Sequence, residues 1–342
     1  MLREILLEEI PDLENFAASL SDLAIDSFGM VVLRSRIEQA LGHTVSDDRW
    51  CALVTPNDIL ALGEMLERPG TAPPTATAVT ERRFYSINMP QMAIGGLSES
   101  WLFRELGDLH WSLITTGLKS PSASLKDGNG NRLYATFTRI RYSLGGPLSK
   151  IGENERLELR GSISRIGAGT FISDVAIEGE AGERGSARMM SNFSRRDGTS
   201  NISLLKGQPD IPEGCAIPET EPGAFDQDYR TRRRKAVASA TFECEYEIVP
   251  FHDINGVGLL YFAAYPIISD ICAMKSRPEI ATCFSTTSRD VYYFANAEPS
   301  DTLIFRVHKW EQTPVTVTME TSLSRKSDGL MMAYMLTGKA QA

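Results

Sequence analysis

Residues 97–116, LSESWLFRELGDLHWSLITT, predict the long helix around which the larger part of the chain is organised. The S-E-S cluster at 98–100 supplies a typical helix start. A second helical stretch, 258–275, follows the turn sequence DING at 253–256. Pro266 should kink or shorten this second helix, because proline lacks a backbone N–H and clashes with the preceding turn.

Outside these two helices the apolar period is mostly two, which indicates strands. Each helix follows one short strand and precedes several longer ones, so the order strand, helix, strands occurs twice. The predicted longer strands are 132–142, 156–164, 170–177, 242–249, 290–295, 302–308 and 315–323. This repeated order predicts an α+β fold of two similar units, each an antiparallel sheet around one long helix.

The first 68 residues form a separate unit that is all-helical and acidic. They hold five Arg, no Lys and thirteen Asp plus Glu, a balance of −8, while the whole chain carries −9. Such a surface repels phosphate, so nucleic-acid binding is disfavoured. The segment PGTAPPTATAVT at 69–80 has the composition of a tether, and we assign 69–83 as a linker.

The second helix of this acidic unit begins within the stretch LAIDSFGMVVL, residues 23–33. Asp26 can cap the helix, and a phosphodiester on Ser27 would lie where free N–H groups and the helix dipole favour an anion. An Asp-Ser helix start alone is usually structural, but this one lies in a helical, acidic unit of the right size. The stretch resembles the D-S-[LF] attachment motif of acyl and peptidyl carrier proteins. The resemblance implies a small four-helix carrier bundle over 1–68, with 4′-phosphopantetheine attached to Ser27 by a phosphopantetheinyl transferase.

From Phe84 onward the chain resembles the bifunctional acyltransferase/decarboxylases of the leinamycin-pathway type. The similarity covers nearly all of 84–338, and it is carried by four long stretches: MPQM through GGL at 89–97, ELGDLHW at 105–111, DINGVGLLYFAAY at 253–265 and RDVYYFAN at 289–296. It implies a double hot-dog domain, with one unit at 84–205, a connector at 206–238 and a second unit at 239–342.

The same resemblance implies an activity in polyketide biosynthesis. The enzyme would take a (methyl)malonyl group from an acyl-CoA substrate, remove its carboxylate and load the propionyl or acetyl product onto the carrier thiol. Its partners would be polyketide synthase components.

Loss of CO₂ from such a thioester leaves an enolate, whose oxygen needs hydrogen-bond donors. Hot-dog folds supply backbone N–H groups where the central helix begins, and Gly95-Gly96 and Asn255-Gly256 lie at the two predicted starts. Glycine lets a ligand approach the backbone closely, and Asn255 adds a neutral amide donor. Both pairs are also ordinary turn residues, so a purely structural role stays open.

The acyl-accepting nucleophile implied by the resemblance is a tyrosine in the strand after the first helix, and Tyr134 is the candidate. A tyrosine hydroxyl titrates near 10, so its acylation requires a basic neighbour or a stabilised phenolate. The alternative is a packed strand tyrosine. Tyr261, Tyr265, Tyr292 and Tyr293 are predicted to be core residues, because aromatic residues at such spacings usually are.

Three other functions remain possible. Asp253 in a D-x-x-G context resembles the acidic site of hydroxybenzoyl-CoA-type hot-dog thioesterases, although it could merely cap the second helix. A 3-hydroxyacyl dehydratase would require a histidine with an acidic partner, for which His110 and His252 are candidates. The third possibility is a non-catalytic scaffold that presents the carrier arm.

The remaining features constrain surroundings and partners. Five scattered cysteines encode neither a disulfide framework nor a zinc site, which favours a reduced, cytoplasmic protein. We expect no metal or redox cofactor, no signal peptide and no membrane span. The basic run at 230–235 could be a solvated face or could dock the acidic carrier. Two hot-dog units in one chain are compatible with a monomer or a homodimer.

Overall fold

The structure is a computed structural model. It describes residues 2–342 except 11–12, 21, 24, 26, 42–44, 46–49, 51–52, 67–78, 95, 181, 197, 199 and 235–237. The predicted cap Asp26, the first glycine of the Gly95-Gly96 pair, most of the predicted tether and Lys235 of the basic run therefore lie outside the described residues.

Three helices are described in the N-terminal unit. They are α1 (Leu2–Glu9), α2 (Ser27–Leu41) and α3 (Pro56–Leu66). Leu6 and Ile37 are buried between them, as the apolar spacing predicts. A four-helix bundle was expected, and the described residues show three of its helices.

The larger unit is built on one long antiparallel sheet. Its strands are β1 (Thr80–Ser86), β4 (Tyr134–Leu144), β5 (Arg156–Ile166), β6 (Thr170–Gly179), β7 (Gly182–Arg196), β8 (Leu204–Lys206), β9 (Phe242–Glu247), β10 (Phe284–Tyr293), β11 (Thr302–Gln312), β12 (Thr316–Arg325) and β13 (Met331–Gln341). A separate small ribbon pairs β2 (Met92–Ala93) with β3 (Gly96–Leu97). β1 begins at Thr80, within the predicted linker.

The order across the sheet is β1-β5-β6-β7-β4-β10-β13-β12-β11-β9, with β8 beside β7. The first strand of each half, β1 or β9, lies at an outer edge of the sheet, and the last in the half's order, β4 or β10, lies at the centre. The two halves therefore have the same strand order. The expectation of two separate sheets is corrected here, because β4 and β10 pair antiparallel from Ser143 opposite Ser288 to Arg139 opposite Tyr292. Main-chain hydrogen bonds therefore join the two repeats into a continuous surface.

Each half wraps one long helix on its inner face. Helix α4 (Glu99–Gly117) begins after Ser98, whose hydroxyl accepts a hydrogen bond from the N–H of Trp101. Helix α6 (Ala264–Ser276) starts six residues later than predicted. Pro266 lies in its first turn, where a missing N–H costs least. The prediction that Pro266 shortens this helix is confirmed.

The outer face of the sheet carries a different layer. The connector contains a helix that was not predicted, α5 (Ala224–Arg234), with Phe225 and Tyr229 buried against the sheet. Helix α2 of the N-terminal unit packs beside it through Val31 and Val32. No helix among the described residues is long and apolar enough to cross a membrane.

Candidate active site

A cavity of about 390 Å³ lies at the seam between the halves, where the α6 region begins. Pairing between β4 and β10 stops at Arg139 and Tyr292, and beyond that point the two strands line opposite sides of the cavity. Its lining residues are Ala135, Thr136, Phe137, Thr138, Asn192, Phe193, Ser194, Asn201, Ile202, Leu204, Lys206, Tyr229, Arg233, Asn255, Leu259, Leu260, Phe262, Tyr265, Tyr293, Phe294, Ala295, Asn296 and Leu330. The seam thus forms a pocket from both repeats and the connector helix.

Tyrosine hydroxyls fix the walls of this pocket. The hydroxyl of Tyr265 donates to the carbonyl of Ala295 at 3.1 Å, and that of Tyr293 donates to the carbonyl of Phe262 at 3.0 Å. Burial raises the pKa of Tyr265 and the pKa of Tyr293 above the ordinary value. These two phenols stay protonated and structural, in agreement with their predicted core role.

The loop before α6 is shaped by asparagine side chains. Asn255 Oδ1 accepts from the N–H groups of Val257 and Leu259, at 3.1 and 3.0 Å, and Asn296 Oδ1 accepts from the N–H of Leu260 at 2.9 Å. Within the described part of the chain, the Nδ2 group of Asn255 donates to no other residue. Asn255 therefore holds the loop with its oxygen and offers its amide protons to the pocket.

Two backbone donors precede α6. The N–H groups of Phe262, which lines the pocket, and of its buried neighbour Ala263 have no acceptor in the part of the chain that the structure describes. Such groups at the start of a helix carry a partial positive charge. Together with Asn255 they provide neutral hydrogen-bond donors for a developing oxyanion.

The polarity of the lining limits its chemistry. Among the described residues, no carboxylate, imidazole or thiol lines the pocket. Phe137 and Phe262 pack with their ring centroids 4.6 Å apart, so part of the wall is aromatic. The two cations of the lining are Lys206 and Arg233, the latter on the exposed end of α5. The described lining therefore offers two cations and neutral hydrogen-bond donors, but no carboxylate or imidazole for general acid–base catalysis.

A second cavity, of about 500 Å³, lies at the matching position where α4 begins. Its polar lining includes Glu99, Asp270 and Lys339; the buried Arg289 pairs with Glu99 and Asp270, and Lys339 pairs with Asp270. Burial alone would raise the pKa of Asp270, but Arg289 and Lys339 outweigh burial and hold it at about 2. These charges neutralise one another, so the second cavity presents an internally satisfied ion network.

The structure brings only one of the five predicted catalytic residues, Asn255, into the lining of the seam pocket. Gly96 lies in β3 against the backbone of Leu148 and Ser149, where an added Cβ would come within 2.5 Å of both residues. Its glycine is therefore needed for close packing. Gly256, by contrast, is exposed, and a Cβ there would meet no described atom within 4 Å.

Asp253 and His252 lie in the one-turn helix Pro250–Asp253. Asp253 is fully buried and accepts from the Tyr246 hydroxyl, the N–H of Val249 and the Nδ1 of His252, at 2.9, 2.8 and 2.7 Å. These bonds use both of its oxygens and fix the turn. His252 lies on the rim of the second cavity, so the pair is separate from the seam pocket.

Tyr134 is the first residue of β4 and lies opposite Ser194 of β7. It is half-buried, and the Arg132 guanidinium lies 5.2 Å from its ring centroid. Side chains alternate along a strand, so Tyr134 shares a face with Thr136, which lines the pocket. Tyr134 borders the pocket without lining it, and its role as acyl acceptor stays a prediction.

His110, the other histidine considered for dehydration, is a buried core residue. Its ring nitrogens bond to the hydroxyls of Ser173 and Ser191, both at 2.7 Å. Burial lowers its pKa to about 3. The imidazole is neutral and enclosed, so it cannot reach a substrate in the seam pocket.

This buried histidine should make stability depend on pH. An unfolded histidine titrates near 6.5, so between pH 6.5 and about 3 the unfolded chain binds a proton that folded His110 does not. Stability is therefore complete above about pH 6.5 and falls as the pH falls through this range. We expect the urea midpoint to decrease from pH 7 to pH 5, and to decrease less in His110→Gln, which keeps polar atoms between the two serines. Equal decreases in both proteins would contradict this assignment.

Several lining residues were not recognised in the sequence. Thr136 and Ser194 bond to each other at 2.8 Å across β4 and β7, and ordinary strand hydroxyls give no sequence signal. Arg233 lies within the basic run, and Asn296 closes the stretch RDVYYFAN. Asn296 was the one that could have been found, because a polar amide ends an otherwise apolar strand there.

Comparison with known structures defines the class of fold. A provisional oleoyl thioesterase from Lactobacillus plantarum superposes with a TM-score of 0.59 and 11% identity over 78% of this chain and 97% of its own. The 12:0-ACP thioesterase from Umbellularia californica gives 0.57 and 12% identity, over 77% and 95%. An acyl-ACP thioesterase from Bacteroides thetaiotaomicron gives 0.53 and 14% identity, over 76% and 97%. The larger unit thus has a hot-dog, thioesterase-like fold.

The N-terminal unit is defined more specifically. Residues 1–62 match the family described as phosphopantetheine attachment site, so this unit is a carrier domain that bears 4′-phosphopantetheine on Ser27. Helix α2 begins at Ser27 and continues for 15 residues, which places the attachment point at the positive end of a helix dipole. A comparison with curated protein sequences finds no significant match.

Proposed function

We propose that the chain takes a (methyl)malonyl group from CoA, decarboxylates it and loads the propionyl or acetyl product onto the phosphopantetheine of a carrier domain. The observation that carries this proposal is the lining of the seam pocket, which offers neutral amide and N–H donors without a carboxylate or imidazole among its described residues. The carrier domain supplies the thiol that accepts the product.

The bond changes explain why this lining is suitable. Cleavage of the bond between the carboxylate carbon and the α-carbon releases CO₂ and leaves the electron pair on the thioester as an enolate. The N–H groups of Phe262 and Ala263 and the Asn255 amide would stabilise the enolate oxygen. A proton from water then converts the α-carbon to the product. The decarboxylation step itself requires no acidic or basic side chain in the pocket.

In the transfer, the carbonyl carbon of the product forms a bond to the Tyr134 oxygen while its bond to the CoA sulfur breaks, and CoA leaves as the thiol with the phenol proton. The carrier thiol sulfur then takes the acyl group from Tyr134 and returns its proton to the phenol oxygen.

The aromatic wall would favour the same step. A carboxylate held against Phe137 and Phe262 loses part of its hydration, whereas neutral CO₂ does not depend on hydration. Lys206 and Arg233 also line the pocket, and they would attract the phosphates of CoA or of the carrier arm. The charge distribution thus favours binding the substrate by its phosphate end.

Hydrolysis is the alternative that the thioesterase fold relatives suggest, and dehydration is the alternative for which His110 and His252 are the candidates. Both would need an acidic or basic side chain at the thioester, and the His252–Asp253 pair is the candidate beside the second cavity. Under our proposal His252→Ala leaves acyl loading intact. Loss of loading in that variant would favour the alternatives.

The deciding experiment measures the intact mass of the phosphopantetheinylated protein after incubation with methylmalonyl-CoA or malonyl-CoA. We expect a propionyl or acetyl adduct, absent from the Ser27→Ala control, which has no attachment site. Tyr134→Phe tests the tyrosine nucleophile, because full transfer in that variant would exclude it. An unloaded arm with free acid in solution would indicate hydrolysis. An unloaded arm with unchanged CoA ester would favour a non-catalytic scaffold.

A further inference from the structure

The outer face of the sheet carries an apolar patch that is covered by the carrier domain. We call this patch the carrier seat. It consists of Ile166, Ile172, Met190, Phe225, Tyr229, Tyr292 and Tyr334. Val31 and Val32 of α2 pack in the same buried cluster, 3% and 1% exposed. These two valines are separate from Leu33 and Ile37, which fill the core of the carrier itself. The docked position removes the valines from water and is favoured for that reason.

An ion pair at the edge of the seat joins the two units. The Arg230 guanidinium of α5 lies 2.9 Å from Glu9 of α1, and their side chains are only 16% and 10% exposed. Glu9 also pairs with Arg36 at 2.8 Å, so one carboxylate is shared between the carrier and the connector helix. The contact joins the acidic carrier to the basic end of α5, so the two surfaces have complementary charge.

The seat lies next to the mouth of the seam pocket. Val31 contacts the β5–β6 turn, where a Cβ built on Gly167 would be 3.6 Å from its Cγ1. Two residues later, a Cβ on Gly169 would be 3.7 Å from Cε of Lys206, a lining residue of the pocket. Tyr229 of α5 belongs to both the seat and the pocket lining, and Arg233 lies one turn further along that helix. Val31, which follows Ser27 by about one turn of α2, therefore packs on the side of the sheet where α5 and the turn next to Lys206 lie.

We infer that the carrier domain is loaded in cis, from this docked position, with Ser27 presented to the pocket of its own chain. This inference rests on the proposed function for the loading step, but the docking itself can be measured without it. A carrier fixed beside the pocket reacts at a high effective concentration, so loading should be independent of protein concentration.

The docking test reverses one charge. Arg230→Glu should detach the carrier, increase the radius of gyration in solution scattering and slow acyl loading at least about tenfold. The double variant Arg230→Glu with Glu9→Arg should restore both. Arg234→Glu is the matched control, since it makes the same charge change on the exposed end of the same helix. Val31→Asp, which places a charge in the seat, should act like Arg230→Glu. Unchanged scattering in both Arg230→Glu and Val31→Asp would overturn the docking.

The cis test mixes two full-length proteins. Ser27→Ala keeps the pocket but has no arm, and Asn255→Asp keeps the arm but has an impaired pocket. Cis loading predicts that the mixture stays unloaded while the wild type is loaded at a rate independent of concentration. Rapid loading of the mixture would overturn the inference and leave the proposed function standing. A wild-type protein that docks but is never loaded would instead overturn the proposed function.

Discussion

Asn255→Asp should slow decarboxylation about 100- to 1000-fold, the usual effect of removing one donor from an oxyanion site. The substitution is informative because it separates the acceptor role of this side chain in the loop from its donor role in the pocket. Aspartate keeps the oxygen that accepts from Val257 and Leu259, so the loop retains its shape. It loses the Nδ2 donor and places a negative charge where the enolate develops.

The measurement is CO₂ release from methylmalonyl-CoA in a single turnover, together with the thermal midpoint of the variant. Asn129→Asp provides the control, because it makes the same change in an exposed loop. An unchanged rate in Asn255→Asp would remove this residue from the site. Free methylmalonate appearing instead of CO₂ would show that an added carboxylate turns the pocket towards hydrolysis.

Arg289→Met should be the most destabilising single change at the seam, at about 3–5 kcal/mol. Arg289 is completely buried and donates to Glu99, to Asp270 and to the hydroxyl of Thr337. Methionine fills much of the space but leaves two partly buried carboxylates without their main cation. Lys339 remains beside Asp270, whereas Glu99 loses the one cation with which it pairs among the described residues.

This effect is measured by denaturant unfolding, followed by a spectroscopic signal of the β-sheet. We expect a lower midpoint denaturant concentration for the variant than for the wild type. Arg160→Met is the matched comparison, because Arg160 forms an exposed cross-strand pair with Glu178. Exposed pairs are worth less than about 1 kcal/mol. Similar midpoints for the two variants would mean that the buried network does not stabilise the seam.

The sequence predicted the repeat and most of its elements because periodicity and helix starts are local. Ser98 and Pro266 each fix a helix start through their own chemistry. Strand β7 was missed because GERGSARMMSNFSRR is rich in Gly, Ser and Arg, and its extended form depends on pairing with both β6 and β4. Helix α5 was missed because its packing depends on the sheet beneath it.

The candidate site was harder to predict, because it depends on register. A bulge between Phe137 and Arg139 interrupts the alternation of β4. Four consecutive residues, Ala135 to Thr138, line the pocket, which simple alternation does not predict, while Tyr134 borders it without lining it. Asp253 had the right residue type in the right loop, but its three hydrogen bonds are tertiary contacts that no local pattern reports.

The matching halves of the sheet differ in how they use the same position. Where α4 begins, Glu99, Arg289, Asp270 and Lys339 pair with one another beside the second cavity, and where α6 begins, the described lining of the pocket carries amides and no carboxylate. When two repeats lie in one chain, their sequences can diverge, which two identical subunits cannot do. One copy of a site can then become a stabilising ion network while the other copy remains an open pocket. Exchanging the residues at the two helix starts would therefore damage both copies. One copy would lose its stabilising ion network, and the other would gain charged groups in its pocket.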